Sequence, residues 1–247
     1  MTCDACNTIP PVTSGEYTPK GSYVTVGGLK TYITGPSTSS IGLVGIYDVF
    51  GLAPQTLQGA DLLSTALNAL ILVPDFLEGD VAKESWFTGA TEEGDTAKAA
   101  FMAKAVDMDR WTRELAEVAR DAKSKWEGVG SWGAYGLCWG GKVVVLSSGS
   151  NSPFKASGQV HPGRLDAADA LIVKIPHIVL ASNGEDAGMI ASYAETLVGE
   201  GKPHVVETYA DMHHGWMGAR ANLANERNLK EYERGYNQLA AFFAKHL

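Results

Sequence analysis

The sequence has no surplus of positive charge. Its 20 Lys and Arg stand against 28 Asp and Glu, a formal net charge of -8 over 247 residues. Phosphate backbones and anionic lipid headgroups repel such a chain, so no nucleic acid or membrane partner is expected and a small-molecule substrate is. Long apolar runs are missing as well, none approaching the roughly 18 residues that a bilayer helix requires. Met1 to Pro11 contains no basic stretch followed by an apolar one, the form of a secretory signal, and the cytoplasm is the expected compartment. Cysteine is scarce, with three in the chain. An odd, small number does not build a disulfide framework, and a reducing compartment leaves a reactive thiol available. Internal repeats, the G-x-x-x-x-G-K-[ST] and G-x-G-x-x-G phosphate loops and the H-E-x-x-H zinc helix are all absent, so no cofactor is expected.

What is present suits one globular domain. Apolar residues make up 45% of the chain and charged residues 19%, too apolar for a disordered polymer. The expected organisation is an N-terminal segment over residues 1–20 and a single domain over 21–247, as a monomer or homodimer. Two β-prone runs, Ser22 to Val26 and Leu29 to Ile33, flank Gly27-Gly28, the signal of a two-residue hairpin. Continuously apolar runs follow at Leu43 to Tyr47, Ala69 to Val73, Trp132 to Gly136, Ala156 to Val160, Ile175 to Leu180 and Val205 to Tyr209. Such runs mark strands covered on both faces. Between them Ala60, Leu63, Leu67 and Leu70 recur at helical spacing, as do Phe101, Ala105, Met108, Leu115, Val118 and Ala122. A last amphipathic helix carries Leu229, Tyr232, Tyr236, Leu239 and Phe243. The alternation predicts an α/β fold: a mostly parallel central sheet with an N-terminal antiparallel hairpin and helices on both faces, its ligand site beyond the carboxyl ends of the strands.

Gly136-Leu137-Cys138-Trp139-Gly140-Gly141 lies between the run ending at Gly136 and a helical run starting at Lys142. This is G-x-C-x-G, the cysteine form of the nucleophile elbow of α/β-hydrolases. Glycines two residues to either side allow the backbones to approach where the turn holds its central residue in strained angles. Cys138 is thus the candidate nucleophile. The helix N-terminus favours a thiolate there, and the Trp139 amide points at a developing oxyanion. The alternative is a small buried cysteine in a tight turn.

A thiol nucleophile benefits from a base, which this fold supplies after its last strand, where His213-His214-Gly215-Trp216 stands. His214 is chosen because the following glycine lets the loop aim its ring inward. The acid is expected after Ile175 to Leu180, and Asp186 is chosen to accept the Nδ1 proton of His214, with Glu185 as the alternative and a helix cap as its other use. Trp86, Phe87 and Trp216 are candidates for the walls of an apolar pocket. Zinc on His161, His213 and His214 is a rival reading, weakened because neighbouring residues rarely face one ion. Cys3 and Cys6 have C-x-x-C spacing without a second pair, and a mobile N-terminus is their expected setting.

Ile46-Tyr47-Asp48-Val49-Phe50-Gly51, Val73-Pro74-Asp75-Phe76-Leu77-Glu78-Gly79, Gly136 to Gly141 and His214-Gly215-Trp216 together resemble the dienelactone hydrolase family, in its fungal branch, over nearly the whole chain from about Gly21. The resemblance implies a Cys-Asp-His triad that opens a lactone or related small ester through a thioester. It also implies that the Val49 amide joins the oxyanion hole, and that Asp48 stands where the family usually has a thiol-activating glutamate. By plain spacing the family's aspartate falls at Gly184. Gly218 stands where bacterial members carry a substrate-clamping arginine, so a dienelactone substrate does not follow. A non-hydrolytic member, acting as a ligand-binding protein or an isomerase or cyclase, is the second reading.

Overall fold

A computed structural model describes residues 9–13, 17–89, 91–199, 201 and 203–247; Cys3 and Cys6 lie outside them. Eight strands form one sheet in the order β1-β2-β4-β3-β5-β6-β7-β8. They are β1 Ser22–Val26, β2 Leu29–Thr34, β3 Ile41–Ile46, β4 Leu70–Pro74, β5 Ser131–Leu137, β6 Ala156–Val160, β7 His177–Ser182 and β8 His204–Tyr209. The helices are α1 Pro54–Leu67, α2 Ser85–Thr88, α3 Glu92–Ala105, α4 Met108–Lys125, α5 Trp139–Leu146, α6 Ala167–Ile172, α7 Ala187–Gly199 and α8 Glu226–His246. Only the pairings of β1 with β2 and of β2 with β4 are antiparallel; every other pair is parallel. Among the described residues no helix is long and apolar enough to cross a membrane.

The hairpin forms because Gly27 and Gly28 hold φ of 58° and 84°, the two positive values that a tight turn matched to strand twist requires. Strands β4, β5, β6 and β7 are buried at every residue, as strands covered on both faces must be. The two faces are visible on β5 itself. Gly133 looks toward Phe243 of α8, while Gly136, an odd number of residues along, looks toward Gly140 of α5. On the first face α1 and α8 pack together, the Tyr232 hydroxyl donating to the Gln55 carbonyl. On the second, Trp111 of α4 meets Trp139 of α5 edge to face at 5.3 Å, and both indoles donate to the Ala105 carbonyl at 3.2 and 2.8 Å.

Three expectations shift. Leu70 is a strand residue, because Asn68 at φ 49° ends α1 two residues earlier. The stripe from Phe101 to Ala122 belongs to two helices, broken at Val106 and restarted where the Asp107 side chain accepts the Arg110 amide at 3.1 Å. Strand β7 starts at His177 rather than Ile175, since Pro176 has no amide to give the ladder, although its carbonyl accepts Ser157 N at 2.9 Å. Residues 9–13 and 17–20 are tied to the body. Val12 N donates to Ala219 O at 2.9 Å, Arg220 Nε donates to Ile9 O at 2.6 Å, and the buried Asp61 accepts the Tyr17 hydroxyl at 2.6 Å and Lys20 N at 3.0 Å.

Candidate active site

Cys138 sits between β5 and α5 with φ 51° and ψ -111°, a conformation that costs a side-chain-bearing residue about 1–3 kcal/mol and persists only where the surroundings impose it. The surroundings here are backbone. A Cβ on Gly136 would lie 2.1 Å from the Gly140 carbonyl oxygen, and one on Gly140 would lie 2.3 Å from that of Ile46. The Cys138 amide continues the parallel ladder to Val160 O at 3.0 Å, and its carbonyl accepts the amides of Gly141 at 3.1 Å and Gly163 at 3.0 Å. Gly163 packs closely here, since a Cβ there would stand 3.1 Å from both the sulfur and the Cys138 carbonyl carbon.

Cys138 lines a narrow, mostly apolar cleft with about 30 Å3 of room for water-sized molecules, enough for a water or two beside the sulfur. Val49, Ala82, Trp86, Phe87, Phe101 and Met102 supply apolar walls, with Lys98 and Arg164 also on the lining. Trp86 and Phe87 both line this cleft, Trp86 packed on Phe101 at 5.6 Å and Phe87 on Phe50 at 5.5 Å. Trp216 does not. It is wholly buried, stacked on Tyr209 at 4.3 Å, and Gly235 of α8 leaves it room.

Trp139, at the start of α5, and Val49, just after β3, both line the cleft, and their backbone amides are not used within the turn. Neither donates to a backbone or side-chain acceptor among the described residues. Asp48 is fully buried beside them. Its Oδ1 accepts Phe50 N at 2.9 Å and its Oδ2 accepts Ala219 N at 2.9 Å. Burial, and then the charge of Cys138, push this carboxyl up to about 6, against the pull of those amides and of Arg220. A Cβ on Gly218 would lie 2.4 Å from Asp48 Oδ2. A side chain at 218 would therefore push the Asp48 carboxylate off the Ala219 amide that it accepts. Arg220 itself is buried over the rings of Phe50 and Phe87, at 4.8 and 5.9 Å from their centroids.

His214 is wholly buried, and its Nδ1 lies 2.6 Å from Glu185 Oε1. A carboxylate only accepts, so Nδ1 carries the proton and Nε2 is left as the basic nitrogen. The sequence places Asp186 here, and the structure corrects it. Asp186 is exposed and caps α7, its Oδ1 accepting Met189 N at 2.7 Å. First-turn amides claim the residue that stands directly before a helix. Glu185 instead folds back over its own loop, with Oε2 accepting the Ser182 amide and Oε1 accepting the Ser182 hydroxyl at 3.1 Å. The longer side chain is what lets it serve Ser182 and His214 together. His213 turns away, its Nε2 lying 3.0 Å from Arg220 O. The three histidines therefore do not converge, and among the described residues no group of three or more His, Cys, Asp or Glu is placed to hold a metal ion.

His161, considered in sequence only as a metal ligand, belongs to this site. It directly follows Val160, whose carbonyl receives the Cys138 amide, and its ring meets that of His214 edge to face at 5.1 Å between centroids. The signal was its position at the carboxyl end of the strand beside the elbow.

The sequence model of the dienelactone hydrolase family matches residues 29–247. The chain belongs to the dienelactone hydrolase family. An uncharacterized AIM2 family protein of Schizosaccharomyces pombe is 36% identical over 222 residues, 88% of each chain. A crystal structure of a dienelactone hydrolase from Anabaena variabilis, 15% identical, superposes with a TM-score of 0.60 over 92% of this chain and 97% of that one. An esterase of Pyrococcus furiosus, 13% identical, does so with 0.65 over 96% and 99%. At these identities the solved structures establish a common fold. Within the dienelactone hydrolase fold, Cys138 and His214 occupy the turn after β5 and the loop after β8, with Glu185 in the loop after β7.

Proposed function

We propose that this protein is a cysteine-dependent carboxylic ester hydrolase that opens a small ester or lactone through a thioester on Cys138. The observation that carries the proposal is the buried Glu185–His214 pair, held at the same sheet end as a cysteine in a nucleophile-elbow turn. In the reading this supports, His214 Nε2 takes the thiol proton and the sulfur attacks the ester carbonyl. The amides of Val49 and Trp139 hold the oxyanion. His214 then gives its proton to the leaving alkoxide, and Glu185 supports the imidazolium and fixes its tautomer throughout. The walls of the cleft suit an apolar or aromatic substrate body.

The test is mass spectrometry of the protein quenched during turnover of p-nitrophenyl acetate. One acetyl group on the peptide containing Cys138 is expected. No acyl adduct with any of a panel of activated esters would favour the non-hydrolytic reading.

Asp48 gives a second measurement. The repulsion that raises its carboxyl acts equally against a thiolate at Cys138, so an ionised Asp48 restrains the resting nucleophile. As pH rises through about 6 Asp48 loses its proton and the restraint sets in. Asp48→Asn removes it and is expected to speed iodoacetamide alkylation of Cys138 at pH 7 by roughly 3- to 10-fold, up to one pKa unit of interaction. An unchanged or slower rate would refute the restraint. The stability sign follows from the same shift. A carboxyl raised from 3.8 to about 6 favours the folded state in full below pH 3.8, and that contribution is lost as pH rises through about 6.

A further inference from the structure

Hydrolysis by the route proposed above has a second half. Water must be brought to the acyl carbon beside the sulfur, with His214 positioned to take its proton, and the apolar cleft walls cannot hold it there. A water kept in one place needs two or more polar partners.

The polar side chains around the elbow are mostly engaged. Both Asp48 oxygens accept backbone amides, and Glu185 serves Ser182 and His214. His213 meets the Arg220 carbonyl. His161 differs. It is wholly buried, and neither Nδ1 nor Nε2 has a hydrogen-bond partner among the described residues. A buried polar group left unpaired is costly enough to require an explanation, and water or ligand is the usual one.

The backbone around it is also under constraint. His161 has φ 37° and Arg164 φ 54°, and the intervening Gly163 abuts the sulfur. Strained non-glycine residues cluster where function imposes them. Here they wrap the loop 161–164 around the nucleophile and turn the His161 ring toward His214.

We propose that His161 holds the deacylating water, accepting one of its O–H bonds while His214 Nε2 accepts the other, so that the oxygen lone pair faces the thioester carbon. The water oxygen forms the new C–O bond and its proton passes to His214. The C–S bond then breaks, the acid product leaves, and the thiolate regains the proton from His214. An acceptor nitrogen must stay unprotonated, and burial, followed by the neighbouring His214 and Arg220, holds the His161 imidazolium well below its ordinary range.

The experiment is rapid-quench turnover of p-nitrophenyl acetate by the full chain. His161→Phe keeps a ring against His214 and removes both nitrogens. It is expected to give the first-turnover burst of p-nitrophenol at the parent rate, then a steady state about 10- to 100-fold slower, the effect of one lost hydrogen bond to the reacting water. Acetyl-Cys138 should accumulate, and hydroxylamine, which attacks a thioester without a positioned water, should restore turnover. His161→Gln, with an amide in place of the imidazole, should recover part of the loss. His161→Leu is run alongside, so that a misfolded phenylalanine variant does not decide the outcome.

Parent turnover in His161→Phe or His161→Leu, or burst and steady state falling in equal proportion, would overturn the assignment. Absence of both p-nitrophenol release and any acetyl adduct on Cys138 in the unmodified protein overturns the hydrolytic reading itself. The two failures are therefore distinct.

Discussion

Cys138→Ala is expected to lower kcat/KM on an activated ester by roughly ten-thousand-fold or more, the scale seen when a covalent nucleophile is removed. The fold should survive the change. Alanine meets the same backbone penalty as cysteine at φ 51°, so the strain is unaltered, and the glycines that permit the turn remain. What is lost is one sulfur packed against Gly163, a truncation worth about 1 kcal/mol, or a few degrees in Tm. Cys138→Ser tests a finer point. A hydroxyl is shorter and much less acidic than a thiol, and a site built around sulfur gives it no stronger base, so most of the loss should remain. Ester hydrolysis assays with parallel thermal melts check both variants. Activity within tenfold of the parent in a folded Cys138→Ala protein would remove the nucleophile from the proposal.

Features that depend on residues close together in the chain are legible in the sequence itself. The hairpin rests on Gly27-Gly28, and the elbow on glycines two residues either side of Cys138, where the contacts that forbid a Cβ are made within the turn or with the adjacent β3 strand. Strand identity is equally plain, because continuous burial writes itself as continuous apolar character. What escapes depends on which way a loop turns. Trp216 beside His214 reads as a cleft wall, yet its partner is Tyr209, seven residues earlier, and the stacked pair lies in the core. His161 carries no motif, and both its positive φ and its contact with a residue 53 positions away are tertiary facts. The acid is nearer to hand. Ser182-Asn183-Gly184-Glu185 has the S-x-x-E spacing of a capping box, in which the glutamate reaches back to the serine amide. Glu185 does so, and that return carries its carboxylate inward while Asp186 faces solvent at the start of α7.

Glu185→Gln and Asp186→Asn should therefore separate widely although the two residues are neighbours. The Glu185 carboxylate accepts from the Ser182 amide, the Ser182 hydroxyl and His214 Nδ1. A carboxamide has one acceptor oxygen for these donors, so its NH2 must face the Ser182 amide or His214. If it faces Nδ1, the imidazole proton is driven to Nε2, the nitrogen needed as base. The expected loss in kcat/KM is roughly 100- to 10,000-fold, the range for a histidine deprived of its orienting carboxylate. The accompanying stability cost is about 1–3 kcal/mol for a buried donor left without an acceptor. Glu185→Asp keeps the charge but is one methylene short of spanning Ser182 and His214, and should fall between Gln and parent. Asp186→Asn keeps the cap on Met189, since asparagine caps as well as aspartate, and should leave kcat/KM within about twofold, because the residue touches nothing in the cleft. Steady-state kinetics across pH 5 to 9 with thermal melts of all three proteins decides the matter. Sensitivity at Asp186 with tolerance at Glu185 would mean that the loop after β7 turns the other way when substrate is bound.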